Sequence, residues 1–287
     1  MTASAGGVGA LTRADVTDLL ARHGLHPSRA LGQNFVVDPN TVRRIARLAG
    51  VGPEDRVVEI GAGLGSLTLA LLGTGASVTA VEVDRHLLGP LREVVEPHGA
   101  TVVAGDALRL DWDALLGDDP WKLVANLPYN VATPLVADLL DGVPAIRRML
   151  VMVQREVGER LAASAGDEAY GAVSVKVSYW ATAKVVGRVG PSVFLPQPRV
   201  DSALVAIERR PTPAVDPSLV GPDRLFAVVR AGFGQRRKML RRSLAGVVTP
   251  DAFERAGVAP ESRPEELDVE AWGRLAAVPA PSPGPGS

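Results

Sequence analysis

The sequence predicts an α/β protein, with a doubly wound, mostly parallel sheet of seven strands followed by a small all-helical domain. Three observations lead there. Short β-branched runs alternate with helical stretches between residues 56 and 154, the order that parallel strands and crossover helices require. A glycine-rich segment opens where the first of those runs stops, as ligand turns do in such sheets. Beyond a Pro-rich stretch from Pro211 to Pro222, only helical patterns follow.

The strand runs are 56–60, 77–83, 101–104, 122–126 and 149–154, and two later runs, 184–190 and 202–210, add an antiparallel edge. Residues 171–181 alternate with period two, which by pattern alone is a strand. Helices are expected at 223–233, 236–246, 250–256 and 265–277. These readings divide the chain into a tail and the start of a helical segment (1–23), an α/β domain (24–211), a helical domain (222–277) and a Pro/Gly/Ser-rich tail expected to be disordered (278–287).

Composition narrows the functional classes. With 287 residues, 46% hydrophobic and 22% charged, the chain has the make-up of a soluble globular protein of about two domains. No apolar run nears the roughly 18 residues a membrane span needs, and the start lacks a signal pattern, so a cytosolic location and no membrane partner are expected. There is no cysteine, and the four histidines fall in no metal-ligand spacing, so no metal is expected. The net charge is only -1, yet Arg224 to Arg242 holds seven basic residues and no acid, leaving 24 basic against 32 acidic residues elsewhere. Positive charge is therefore concentrated in one place.

Two segments carry chemistry. In "VVEIGAGLG" a buried strand runs into Gly61, Gly63 and Gly65, and a helix follows. A dinucleotide fingerprint would need its third glycine where Ser66 stands, whereas G-x-G-x-G after an acid, Glu59, suits S-adenosylmethionine. Glu82, 21 residues after Gly61, is placed to accept both ribose hydroxyls. Asp106, after the third strand, can accept from the adenine amino group, although a Gly-Asp pair is also a common turn.

The fourth strand runs directly into Asn126-Leu127-Pro128-Tyr129. An adenine amino nitrogen is a poor nucleophile because its lone pair is delocalised into the ring. Two acceptors on its N–H bonds, the Asn126 side-chain oxygen and the Leu127 carbonyl, would draw it toward tetrahedral geometry. Pro128 restricts Leu127 to extended conformations and so sets where that carbonyl points. Tyr129 offers a face on which an extruded base can stack.

With these blocks in place, the chain resembles the KsgA-type small-subunit ribosomal RNA adenine dimethyltransferases over roughly residues 24–277. Matching segments include "LGQNFVVD" (31–38), "VVEIGAGLGSLT" (57–68), "NLPYN" (126–130), "SVFLPQPRVDSA" (192–203) and "FGQRRKMLRRSL" (233–244). The resemblance implies a Rossmann-like class I S-adenosylmethionine-dependent methyltransferase domain and a monomer. Its implied reaction is dimethylation of two neighbouring adenosines in a loop near the 3′ end of small-subunit RNA, free or in a pre-small-subunit particle. It further implies that Asn34 and Val36 close over the methionine part of the cofactor, that Phe194 holds the target base with Tyr129, and that 171–181 is a helix.

For the RNA, the basic stretch supplies Arg230, Arg236, Arg237, Lys238, Arg241 and Arg242. Their spacing against Phe233, Met239, Leu240 and Leu244 would put charges and apolar groups on different helix faces. Arg155 and Arg199 are further candidates for phosphate contacts. Three alternatives remain open at this point: an adenine methyltransferase of large-subunit RNA that confers antibiotic resistance, a non-catalytic RNA-binding assembly factor, and a nicotinamide-dependent oxidoreductase.

Overall fold

The computed structural model describes residues 9–28, 31–128 and 131–279. Its strands are β1 (Phe35–Val36), β2 (Arg56–Ile60), β3 (Ser77–Glu82), β4 (Thr101–Ala104), β5 (Trp121–Asn126), β6 (Ile146–Gln154), β7 (Ala181–Val189), β8 (Phe194–Leu195) and β9 (Ser202–Arg209). The first helices are α1 (Arg13–Arg22), α2 (Pro39–Ala49), α3 (Ser66–Leu72), α4 (Leu88–Val95), α5 (Trp112–Leu116) and α6 (Ala132–Gly142). They are followed by α7 (Arg155–Leu161), α8 (Ala172–Trp180), α9 (Pro222–Gly234), α10 (Leu240–Ser243), α11 (Asp251–Ala256) and α12 (Val269–Ala277).

Seven strands form one sheet in the order β4-β3-β2-β5-β6-β9-β7. β4, β3, β2, β5 and β6 are parallel neighbours, and β9 pairs antiparallel with β6. Strands covered on both faces read as continuous apolar runs, and "RVVEI" in β2 is buried at all but its first residue. α2 and α3 cover one face, where Val42, Ile45, Leu67 and Leu71 meet Val57, Val124 and Leu150. Against Ala80 of β3 pack Leu91 and Val95 of α4. Local signals set the helix ends. Asp38 accepts from the Asn40 and Thr41 amides at the start of α2, Pro39 takes the first helical position, and Gly50 closes the helix in the left-handed conformation.

The chain makes two compact units, one from residues up to Gly158 plus Val185–Glu208, the other from Glu159–Lys184 plus Arg209 onward. This departs from the linear division read at residue 211, because 159–184 belongs with the helices that follow. The second unit is built round Trp272, fully buried among Tyr170, Val175, Tyr179, Leu225, Phe226 and Leu240.

Two pattern readings need correction. Residues 172–180 form a helix, as the family resemblance implies and against the period-two pattern. Its residues Ser174, Val175, Val177 and Tyr179 are all buried, so no polar face marks a helical period. The expected helix 236–246 is also broken. α9 ends at Gly234, residues 236–238 turn, and only Leu240–Ser243 is helical. The Leu240 and Arg241 amides donate to Ser262 and Pro260 carbonyls instead of to the preceding turn. Met239, expected on an inner face, is 42% exposed.

Candidate active site

The first unit holds a cleft over the C-terminal ends of β2, β3 and β5, where open parallel sheets bind ligands. After β2 the chain passes through Gly61, Gly63 and Gly65, all with positive φ. A side chain on Gly63 would press on the Phe35 ring at 3.1 Å, and one on Gly65 would meet Val95 Cγ1 at 2.5 Å. Glycine is therefore required twice over at both positions, by conformation and by space.

Glu82, at the end of β3, is locked to this turn. Its Oε2 accepts from the Gly63 amide at 2.7 Å and its Oε1 from the Asp84 amide at 2.9 Å. Both oxygens keep a lone pair for further donors. Burial pushes the Glu82 pKa up, countered by the backbone amides of Asp84, Gly63 and Val83. Glu59, one strand away, is buried as well, and burial pushes its pKa up to about 8, against a hydrogen bond from Thr68 and with the charge of Glu82 adding to the rise. Thr68 Oγ1 donates to Glu59 Oε2 at 2.5 Å.

At the end of β5, Asn126 Nδ2 donates to the Asn34 carbonyl at 3.0 Å, and Asn34 Nδ2 donates to the Gly32 carbonyl at 3.0 Å. This bond fixes the orientation of the Asn126 amide, with one N–H engaged and Oδ1 free to accept in the cleft that the residue lines. The Leu127 amide is tied to the Met152 carbonyl, which continues the β5–β6 ladder into the tetrapeptide.

Asn34, Val36, Gly61, Gly63, Glu82, Asn126, Leu127 and Pro128 line this one cleft. Asp106 lines an adjoining apolar recess with Ile60, Val81, Val83 and Leu108, reached past Gly61 and Leu127. Among the described residues, the main cleft is lined by two acids, Glu59 and Glu82, and by no Lys, Arg or His. Such a lining favours a cationic ligand. Ser66 also lines it, and its buried Oγ has no hydrogen-bond partner among the described residues. A polar, positively charged nucleoside with a carboxylate to bond Ser66 fits this donor and acceptor set.

Not every expected residue is placed there. Tyr129 lies outside the described residues. Phe194 is 1% exposed in this structure, among Val36, Val42 and Ile45, and stands opposite Val36 in the β1–β8 pairing. Arg155 and Arg199 belong to the first unit, and Arg230, Arg236, Arg237, Lys238, Arg241 and Arg242 to the second. Among the described residues, two of the second unit's six have protein partners. Arg236 donates to the Glu168 carbonyl and approaches Glu265, and Arg241 pairs with Glu261 at 2.6 Å.

The site also contains residues the pattern reading missed, among them Leu31, Gln33, Val83 and Leu87. Gln33 accepts from the Ser28 amide and donates to Asp84 Oδ2 at 2.7 Å, fastening the 31–34 segment across to the end of β3. The one available signal was the family block "LGQNFVVD" itself.

The family model for ribosomal RNA adenine dimethylases matches residues 26–279. The chain belongs to this adenine dimethylase family. A relative from Thermobifida fusca, named ribosomal RNA small subunit methyltransferase A, is 49% identical over 277 residues, covering 93% of this chain and 95% of its own. Among solved structures, the 23S rRNA methyltransferase ErmE matches this dimethylase family member with TM-score 0.67 and 27% identity, over 85% of this chain and 98% of its own. A dimethyladenosine transferase from Plasmodium falciparum shares the fold at TM-score 0.70 and 24% identity, over 83% of this chain and 94% of its own. The fold is thus that of the class I methyltransferases, and the protein is a methyltransferase.

Proposed function

We propose that this enzyme uses S-adenosylmethionine to dimethylate the exocyclic nitrogens of two adjacent adenosines in a loop near the 3′ end of small-subunit ribosomal RNA, in the cytosol, as a monomer acting on RNA or on a pre-small-subunit particle. The carrying observation is the tie of Asn126 Nδ2 to the Asn34 carbonyl at 3.0 Å, which commits the other end of the amide to accepting.

On this reading Glu82 takes the ribose hydroxyls, Asp106 the adenine amino group, and Asn34, Gly63 and Ser66 surround the methionine part. Bound there, the cofactor supplies an electrophilic methyl group on a sulfonium. The chain's own work is to shape the acceptor. Asn126 Oδ1 and the Leu127 carbonyl each accept one amino N–H, which draws the nitrogen lone pair out of conjugation before attack. The amine is cationic after transfer and sheds its proton to water, so no general base is called for. Unpaired loop bases are the cheapest to turn out of a stack, which suits the target.

Support comes from the family membership and from the naming of relatives near 49% identity for the small subunit. The test is transfer of labelled methyl groups to immature small subunits and to large-subunit RNA. Label in small-subunit adenosines is expected, and label in large-subunit RNA alone overturns the proposal. Asn126→Ala should lower kcat by roughly 10²–10³-fold, as when a preorganised hydrogen-bonding group is removed elsewhere, with cofactor affinity changed far less. Normal turnover in that variant overturns the assigned chemistry.

A further inference from the structure

The first unit carries a second concentration of positive charge that the catalytic reading does not use. α2 buries Val42, Ile45, Ala46 and Ala49 against the sheet and turns Arg43 and Arg47 outward. β7 is the edge strand of the seven-stranded sheet. Arg188 stands exposed on it, two positions from Val186, which packs against the cluster that contains Val42 and Ile45. Arg44 joins the two elements, its Nη1 donating to the Arg188 carbonyl at 2.9 Å. Segments about 140 residues apart in sequence thus place four arginines side by side.

Neither α2 nor β7 contains an acidic residue. Among the described residues, none of these arginines has a carboxylate within ion-pair distance. Arg43 bonds only the Asn40 side chain. Asp38, the acid before α2, has its oxygens on the Asn40 and Thr41 amides and the Thr41 hydroxyl. The charge of Asp38 acts on Arg43, but within α2 itself the exposed charges have a single sign, on arginine alone. Arginine's planar fork suits phosphate oxygens better than lysine's point charge does. The elements that carry the patch are joined to the cleft through the chain: α2 follows β1, whose Val36 lines the cleft, and β7 leads through residues 190–193 into β8, which pairs with β1.

We infer that Arg43, Arg47 and Arg188 form a phosphate-binding surface on the methyltransferase unit, which grips RNA backbone running outward from the target loop and is separate from the basic stretch of the helical unit. This rests on the reading that the substrate is RNA, and it adds where the flanking strand is held. Arg44 acts there as a positioning residue, pinning α2 to the sheet edge.

The test uses the full chain with Arg43→Glu, Arg47→Glu and Arg188→Glu combined, the matching triple Gln variant, and a full-length small-subunit RNA transcript. Arg44 is kept for its structural bond. The Glu variant should bind RNA at least about tenfold more weakly near 0.1 M salt, with the slope of log K against log salt reduced by about two, since each of the three lost contacts accounts for roughly 0.7 of a counterion on a single strand. The Gln variant should fall between it and wild type. Affinity for S-adenosylmethionine should not move in either, which reports a folded first unit even if one variant fails. RNA affinity and salt slope within twofold of wild type, in a variant that binds cofactor normally, overturn the inference. Loss of binding to anionic phosphatidylserine vesicles with RNA affinity intact overturns it in favour of a lipid surface. A wild-type chain that binds and methylates neither the transcript nor immature small subunits defeats the substrate reading itself, so the two failures are distinguishable.

Discussion

Replacing Glu59 with glutamine should make the protein more stable at neutral pH and leave it nearly unchanged in acid. Burial raises the carboxyl from 4.5 to about 8, so the folded chain holds this proton more tightly than the unfolded chain does. The stability that goes with it is complete below about pH 4.5 and is lost as pH climbs toward 8. At 1.36 kcal/mol per pH unit, the loss between pH 5 and pH 7.5 comes to about 3 kcal/mol. Glutamine keeps an acceptor for the Thr68 hydroxyl, which lies 2.5 Å from Glu59 Oε2, and it cannot ionise. Urea titrations of both proteins without cofactor at pH 5, 6.5 and 7.5 should therefore diverge, with the Gln variant ahead by about 3 kcal/mol at the top of the range. Parallel pH profiles would refute the claim that Glu59 is buried as a neutral acid. The same group links to function. A cationic ligand in a cleft with no Lys, Arg or His among its described lining residues favours ionised Glu59, so calorimetry in two buffers of different ionisation heat should show proton release on S-adenosylmethionine binding by wild type and less by the variant.

Two further outcomes follow from the geometry. Gly65→Ala forces a side chain into left-handed backbone at φ 88° and to 2.5 Å from Val95 Cγ1, and should cost about 2–4 kcal/mol from strain and overpacking together, read as a shift of the urea midpoint. Gln33→Ala removes the bridge from Ser28 to Asp84 and should weaken cofactor affinity roughly five- to twentyfold, about the worth of one or two hydrogen bonds, with little change in overall stability. Unchanged affinity by calorimetry would show that the bridge does not organise the cleft.

The parts of the fold that follow from local pattern were readable in the sequence. β2, β3 and β5 announce themselves as apolar runs because helices cover both faces, and the glycines after β2 mark a turn that side chains cannot occupy. Asn126 was legible because it sits in the register of β5, at a strand end where its chemistry has only one direction to act. What escaped was decided by distant parts of the chain. The helix breaks between Gly234 and Leu240, where Ser262 and Pro260 offer carbonyls to Leu240 and Arg241, and no window around residue 240 contains that information. α8 hid its helical period by being buried on more than one side. The two-residue pairing of β1 with β8 is too short to show a pattern, yet it sets Phe194 opposite Val36. Gln33 reads as loop until Asp84 is brought opposite it.

The path of the chain between its two units sets how the protein can be cut. Tyr170, Val175 and Tyr179 precede the last strand of the sheet, while the apolar residues that enclose them, Leu225, Phe226 and Trp272, come after it. A stop codon after Arg210 would therefore strip the cover from those rings and leave a sticky fragment, not an independent catalytic half. A separable half would need residues 159–184 replaced by a short tether, and the excised segment grafted onto the helices from residue 209 onward.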